Sequence, residues 1–207
     1  MVMIGLSKRW HLPVWKVSGA TFKLWQLQRA RSVEMTIRKS GLKLDWCGVN
    51  ALVELHQMGR YYLPPFSLNG KTVLDIGAGC GETAWYFLRN GARKVVCIEQ
   101  DKRRARLIEE NRKNLNLSIE IIPHAFTAKH LSIPHDFIKC DIEGGEIELL
   151  PYAKKLKPCV LEVHSAWIKQ QFEKNGFHAI TKLHYYPKPS PIECICLMAN
   201  FNKRESH

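Results

Sequence analysis

Three glycines alternate in the segment Val73-Leu74-Asp75-Ile76-Gly77-Ala78-Gly79-Cys80-Gly81-Glu82, between an apolar run that reads as a strand and a stretch of helical spacing. Such a turn lets a backbone come close to a ligand, which is how a nucleotide or nucleoside is received at the head of a helix. The dinucleotide pattern G-x-G-x-x-G would need glycine at position 82, where Glu82 stands. A carboxylate at the positive end of a helix repels a pyrophosphate that would occupy the same place. The spacing therefore predicts a nucleoside ligand without phosphates. Glu99 ends the next apolar run, 22 residues after Gly77. That is the place from which a carboxylate can accept both ribose hydroxyls.

The elements that must hold these residues can be read from periodicity. Strands are predicted at Thr72 to Ile76, Lys94 to Glu99, Ser118 to Ile122, Asp136 to Cys140 and Cys159 to Val163. Helices are predicted at Glu82 to Asn90, Asp101 to Leu115, Glu146 to Leu156 and Ser165 to Asn175, with Glu109 and Lys113 as an i,i+4 pair on an outer face. Alternating units of this length imply a parallel sheet with helices on both faces. Two last strand-like runs, Phe177 to Tyr186 and Ile192 to Asn200, have no helix between them and predict an antiparallel hairpin at one edge. The fold class expected is α/β: a Rossmann-like, seven-stranded, mainly parallel sheet with a C-terminal antiparallel hairpin. Before it, alternation over about residues 32–46 predicts a small hairpin, and 49–58 a helix. With a boundary at Asn69-Gly70, the expected organisation is a basic N-terminal extension, 1–70, and a nucleoside-binding domain, 71–207.

With the strands in place, Asp75-x-Gly77-x-Gly79-x-Gly81 and Glu99 resemble motif I and the acidic loop of class I S-adenosylmethionine-dependent methyltransferases. More narrowly, Cys97-Ile98-Glu99-Gln100-Asp101 is similar to the F-E-P segment of the FkbM-type enzymes, and Phe137 to Glu146 to their I-K-I-D-V-E-G-A-E. Leu161-Glu162-Val163-His164 resembles the E-x-H at the end of their fifth strand. Ala78-Gly79-Cys80 and Gln100 depart from the family's A-N-x and Pro. The resemblance covers about residues 71–200. It implies S-adenosylmethionine (SAM) as cofactor, held by Asp75, Gly77, Ala78, Gly79, Gly81, Glu99 and Gln100. Phe126 or His124, in the loop where this class encloses adenine, would stack on the base; core packing of Phe126 is the competing reading. The acceptor it implies is a hydroxyl of a small molecule or glycan.

Methyl transfer is an in-line displacement, so an acceptor must be aligned and must lose a proton. Asp141, Glu143 and Glu146 cluster at the carboxyl edge of the sheet, where open α/β folds bind ligands. Asp141, then His164, then Glu143 are the expected catalytic residues, and a carboxylate, His164 or a bound divalent cation could activate a hydroxyl. The acids could equally cap the helix that follows them, and His164 could serve only the turn before Ser165, a candidate N-cap.

The 207 residues, 45% hydrophobic and 24% charged, exclude a disordered chain, a collagen-like chain and a small disulfide scaffold. The formal charge of +12 suggests an acidic partner. Residues 1–43 hold nine basic side chains against Glu34 alone, eight of the twelve charges, interleaved with Trp10, Trp15, Phe22 and Trp25. That pattern suits RNA, an anionic lipid surface, or a cap packed on the domain. RNA methylation with this region as a clamp is the alternative function, and a nucleoside-binding module without catalysis a third. No N-P-P-Y or D-P-P-Y segment of the base-amino enzymes is present. Seven cysteines scattered in apolar runs read as reduced, so a cytoplasmic setting is expected, with zinc at Cys194 and Cys196 disfavoured by their spacing. No apolar stretch reaches the about 20 residues of a membrane span, and Met1 to Leu6 is too short for a signal peptide core.

Overall fold

The computed structural model describes residues 2–6, 13–16, 38–183 and 194–199. Strands β1 (Val2–Leu6) and β2 (Pro13–Lys16) pair antiparallel, with Val2 opposite Lys16, in a stretch where periodicity gave no element. The helix α1 (Trp46–Met58) leads to β3 (Thr72–Ile76), α2 (Glu82–Arg89), β4 (Lys94–Ile98), α3 (Lys102–Asn114) and β5 (Ile119–Ile122). Then come β6 (Phe137–Cys140), a 3-10 segment Gly145–Lys155 that contains Pro151, β7 (Cys159–Val163), α4 (Ala166–Lys174), β8 (His178–Leu183) and β9 (Cys194–Ala199).

The sheet order is β5-β4-β3-β6-β7-β9-β8. The first five strands in that order run parallel, while β9 lies antiparallel to β7 and to β8. The segment that joins β8 to β9 lies outside the described residues. Since β3 and β6 are central and covered on both sides, they are apolar throughout except where chemistry intervenes, and all five residues of β3 are buried. Alternate side chains feed two cores. Leu74, Ile76, Val96 and Ile98 join Phe172 and Phe177 on one face; Val73, Val95 and Cys97 join Phe87 and Phe137 on the other. Each fully buried side chain of this size contributes about 1.5–3 kcal/mol.

The hairpin expected over 32–46 is not found where its second strand is described. Residues 38–40 are helical and 41–45 irregular, while 32–37 lie outside the described residues. The reason is Asn111 on α3, fully buried, which accepts from the Lys43 N–H at 2.7 Å and donates to the Lys43 and Cys80 carbonyls at 2.9 Å each. A strand ladder would have needed those same Lys43 groups. Asp45 caps α1 by accepting from Gly48 N–H at 2.8 Å, so the helix begins three residues earlier than periodicity suggests, and Arg104 on α3 binds the same carboxylate at 3.0 Å. Leu55, Tyr62 and Leu68 belong to the core that contains Val73 and Phe87. Residues 46–68 thus pack as part of the α/β unit, and Asn69-Gly70 is a turn within it, where Gly70 takes φ +73°.

Cys80, Cys97 and Cys140 are free and buried. Among the described residues, no helix is long and apolar enough to cross a membrane.

Candidate functional site

The carboxyl ends of β3, β4, β6 and β7 open on one cleft of about 690 Å³, within the range of about 300–1,000 Å³ typical of small-molecule sites. Gly77, Gly79, Glu99, Gln100 and Phe126 line it, as do Asp141, Glu143 and His164. Asp75, Ala78 and Gly81 are buried and do not line it.

The glycine loop is shaped by hydrogen bonds to the neighbouring strand end. Gly77 N–H and Ala78 N–H both donate to the Ile98 carbonyl, at 2.9 and 3.2 Å, and all three glycines have positive φ. Glu99, 5% exposed, clamps the loop from the side: its Oε2 accepts from Gly79 N–H at 2.9 Å and its Oε1 from Asp101 N–H at 2.8 Å. Each oxygen keeps a further lone pair for a ligand hydroxyl. Glu82 folds back into the loop, where Oε2 accepts from Cys80 N–H at 2.8 Å and Oε1 lies where a side chain on Gly79 would stand. The Glu82 carboxyl group thereby occupies the space beside Gly79 and the Cys80 amide within the loop.

Beneath the loop, Asp75 sits fully buried, accepting from the Thr83 hydroxyl and facing Lys139 Nζ at 3.3 Å. Lys139, 2% exposed, also donates to the Gly77 carbonyl at 2.7 Å. Burial works against its charge, but the carboxylates of Asp75, Asp141, Glu82 and Glu162 outweigh that and hold it above the ordinary lysine range. Asp75 is therefore a support of the loop. Lys139, which periodicity gave no role, is its counter-charge.

His164 Nδ1 lies 3.0 Å from Glu146 Oε1, which also accepts from the Ile142 and Gly144 amides at 3.2 and 3.1 Å. Burial alone would raise Glu146, but its bonds to His164 and the loop amides hold it below the usual carboxylate range. Because Glu146 Oε1 is an acceptor three times over, Nδ1 carries the proton and Nε2 faces the cleft. There Nε2 lies 3.7 Å from Asp141 Oδ1, 3.4 Å from Glu143 Oε2 and 3.8 Å from Glu162 Oε1. Glu143 stands exposed on the rim with φ +53°, an uncommon backbone state for a residue with a side chain. Ser165 caps α4, accepting from Ile168 N–H at 3.5 Å, so the turn is served without His164.

Glu162 and Glu54 complete the wall. The Tyr62 hydroxyl lies 2.5 Å from Glu54 Oε1 and 2.6 Å from Glu162 Oε2. One hydroxyl proton cannot serve two carboxylates, so one of the two acids holds a proton of its own. In agreement, burial and then neighbouring charges push Glu162 up to about 8, and burial pushes Glu54 up to about 7.

One stability effect follows from the loop. Burial pushes the Glu82 carboxyl up to about 8, against an unfolded value near 4.5. The folded state then keeps a proton that the unfolded chain releases, so this contribution is complete below about pH 4.5 and is lost as pH rises through about 8. Urea midpoints at about pH 5.5 and about pH 8.5 should fall with pH, at no more than about 1.4 kcal/mol per unit from this proton. In Glu82→Gln the fall should be shallower; an unchanged slope would show that Glu82 is ionised in both states.

The described fold can be matched to solved structures. A Pyrococcus horikoshii protein provisionally described as an RNA methyltransferase superposes with a TM-score of 0.52 at 19% identity, over 81% of this chain and 94% of that one. The M. jannaschii protein TYW2, solved in complex with AdoMet, gives 0.51 at 18% identity over 70% and 74% of the two chains. The chain has the class I methyltransferase fold. A precorrin-6y C5,15-methyltransferase of Geobacter metallireducens matches equally, with a TM-score of 0.52 at 15% identity over 72% of this chain and 88% of that one, so the fold alone does not choose an acceptor.

Among curated proteins, the ribosomal RNA small subunit methyltransferase G of Mycoplasmopsis pulmonis is 39% identical over 77 residues, 37% of this chain and 34% of its own length. The ribosomal RNA small subunit methyltransferase A of Xanthobacter autotrophicus is 38% identical over 68 residues, 32% of this chain and 24% of its own. The chain thus spans about a third or less of these relatives. No family model matches.

Proposed function

We propose that the chain is a SAM-dependent methyltransferase and that its acceptor is RNA. The observation that carries the cofactor reading is Glu99, fixed by the Gly79 and Asp101 amides at the mouth of a glycine loop that Glu82 closes to phosphate. When bound, SAM supplies an electrophilic methyl group on a positively charged sulfonium. Glu99 would accept its ribose hydroxyls, Gly77 and Gly79 would admit it close to the backbone, and Phe126 would flank its base. The acidic side chains of Asp141 and Glu143 suit a cationic ligand in an otherwise shielded cleft. Asp141 and His164 would align the acceptor, and Glu143 at the rim would receive its proton. The pair β8 and β9 would then be the terminal antiparallel strands of the seven-stranded methyltransferase sheet.

RNA is favoured by the ribosomal RNA methyltransferases among the relatives and by the excess of basic residues before position 44. A cytoplasmic setting belongs to the same reading and agrees with the free cysteines. The FkbM resemblance supports a second reading, an uncharged hydroxyl of a small molecule or glycan, because three carboxylates converge at the acceptor end, where an RNA phosphate would be repelled.

Transfer of a tritiated methyl group to undermodified RNA and to a pool of small hydroxylated metabolites separates the two. The RNA reading predicts counts in RNA that vanish in Asp141→Ala, with log affinity falling linearly against log salt. Counts confined to the small molecules, or RNA binding that ignores salt, would replace it with the second.

A further inference from the structure

We propose that Asp141, Glu162 and His164 bind one divalent cation of the manganese type, with Glu146 as the residue that positions the imidazole. His164 Nε2, Asp141 Oδ1 and Glu162 Oε1 converge from β6 and β7, and one donor atom from each residue lies within 4.8 Å of the other two. Donor atoms roughly 2.0–2.2 Å from one cation sit roughly 3–4.4 Å from one another. The separations of 3.7 and 3.8 Å from Nε2 to the two carboxylate oxygens match that spacing and are too long for direct hydrogen bonds.

Two observations point to a ligand at the centre of the group. Asp141 Oδ1 is buried with no hydrogen-bond partner. Glu162, 3% exposed, hands its Oε2 to Tyr62 and turns its Oε1 towards the same point. A buried carboxylate oxygen left without a partner, such as Asp141 Oδ1, is costly. Lys139 does not fill the place, because its ammonium contacts Asp75 and the Gly77 carbonyl. The imidazole is already set for ligation: Glu146 accepts at Nδ1, which fixes the tautomer with Nε2 towards the oxygens. This carboxylate-to-histidine arrangement is the usual outer shell of a metal-bound histidine. Two carboxylates and one imidazole suit manganese or a similar divalent ion. Three protein ligands leave positions open to the cleft for water or an acceptor oxygen, which the ion would polarise. The use of the ion in methyl transfer rests on the function proposed above and specifies a hydroxyl as the acceptor group; its binding does not.

The full chain, freed of metal with a chelator, is titrated with Mn²⁺ and the free-ion paramagnetic resonance signal followed. One ion per chain is expected at micromolar concentration. Glu146→Gln should weaken binding by about tenfold to a hundredfold, and Asp141→Asn or His164→Ala by at least as much. Because a variant could fail to fold, Co²⁺ is added to the wild type, where a paramagnetically shifted imidazole N–H resonance is expected. Absence of stoichiometric Mn²⁺ binding, absence of the shifted resonance, or equal affinity in folded Asp141→Asn would overturn the site. S-adenosylhomocysteine binding is measured on the same samples. Its presence without Mn²⁺ binding removes this inference alone, and Mn²⁺ binding without it supports the site while removing the functional reading.

Discussion

Replacing Lys139 by Met should lower the unfolding free energy by about 3–5 kcal/mol, a large part of the about 5–15 kcal/mol typical of a domain. The side chain is 3% exposed and its ammonium lies 3.3 Å from Asp75 Oδ1 in the centre of the sheet. Without it, Asp75 keeps a charge in an apolar interior or takes up a proton, and the Gly77 carbonyl loses its donor. The acids facing the cleft lose their shared counter-charge as well, since Asp141, Glu82 and Glu162 all act on this lysine. Urea denaturation measures the effect. The double variant Lys139→Met with Asp75→Asn should recover part of the loss, because the orphaned charge goes with the carboxylate. A single-variant cost below about 1 kcal/mol would mean that the pair is solvated or the aspartate neutral, and the support assigned to the glycine loop would fail.

Gly77→Ala should weaken S-adenosylhomocysteine binding by at least about a hundredfold, which is about 2.7 kcal/mol. Two causes act together. The residue holds φ +77°, which costs an L-residue about 1–2 kcal/mol. In addition, a Cβ there would penetrate the carbonyl oxygen of Asp141 and come 2.9 Å from Ile142 Cγ2, so the loop after β3 and the loop after β6 must separate. Both loops line the cleft. Gly70→Ala separates the causes, since Gly70 has nearly the same φ, +73°, yet a Cβ would meet nothing within 4 Å. Gly70→Ala should cost about 1 kcal/mol of stability and leave ligand affinity unchanged. Equal affinities in both variants would show that the two loops do not set the cleft.

The strand and helix order was legible because each element carries its own period, and the glycine loop because turn, helix start and paired acid stand at fixed offsets. Ends were corrected by caps: Asp45 starts α1 three residues early, Asp101 and Ser165 stand just outside their helices. In the described part of the hairpin expected over 32–46, the Lys43 backbone is taken by a side chain 68 residues away, Asn111, which no local pattern can reveal. The site was half legible. Asp141, Glu143, His164 and Glu99 were visible as acids and a histidine at strand ends. Lys139, Glu162 and Glu54 were not assigned roles, since each stands inside an apolar element and periodicity reads it as an interruption. A signal was present all the same: a charged residue at a buried strand position is expensive and demands a partner. Lys139 in Phe137-Ile138-Lys139-Cys140 and Glu162 in Cys159-Val160-Leu161-Glu162-Val163 are such positions, and in the fold they meet the acids of the cleft. Asp75 shows the converse: it has the motif position of a ligand-binding acid, but its carboxylate binds Thr83 and faces Lys139 beneath the loop.

The claim on which the account rests is that Glu99 and the glycine loop receive a nucleoside without phosphates. Calorimetry with S-adenosylhomocysteine tests it directly. One molecule should bind per chain with a micromolar dissociation constant, about −8 kcal/mol. Glu99→Gln, which preserves shape but removes the charge, should weaken it by about tenfold or more, as expected when hydrogen bonds to a charged acceptor are lost. No binding by the folded wild type, or an affinity that Glu99→Gln leaves unchanged, would contradict the assignment of the cleft.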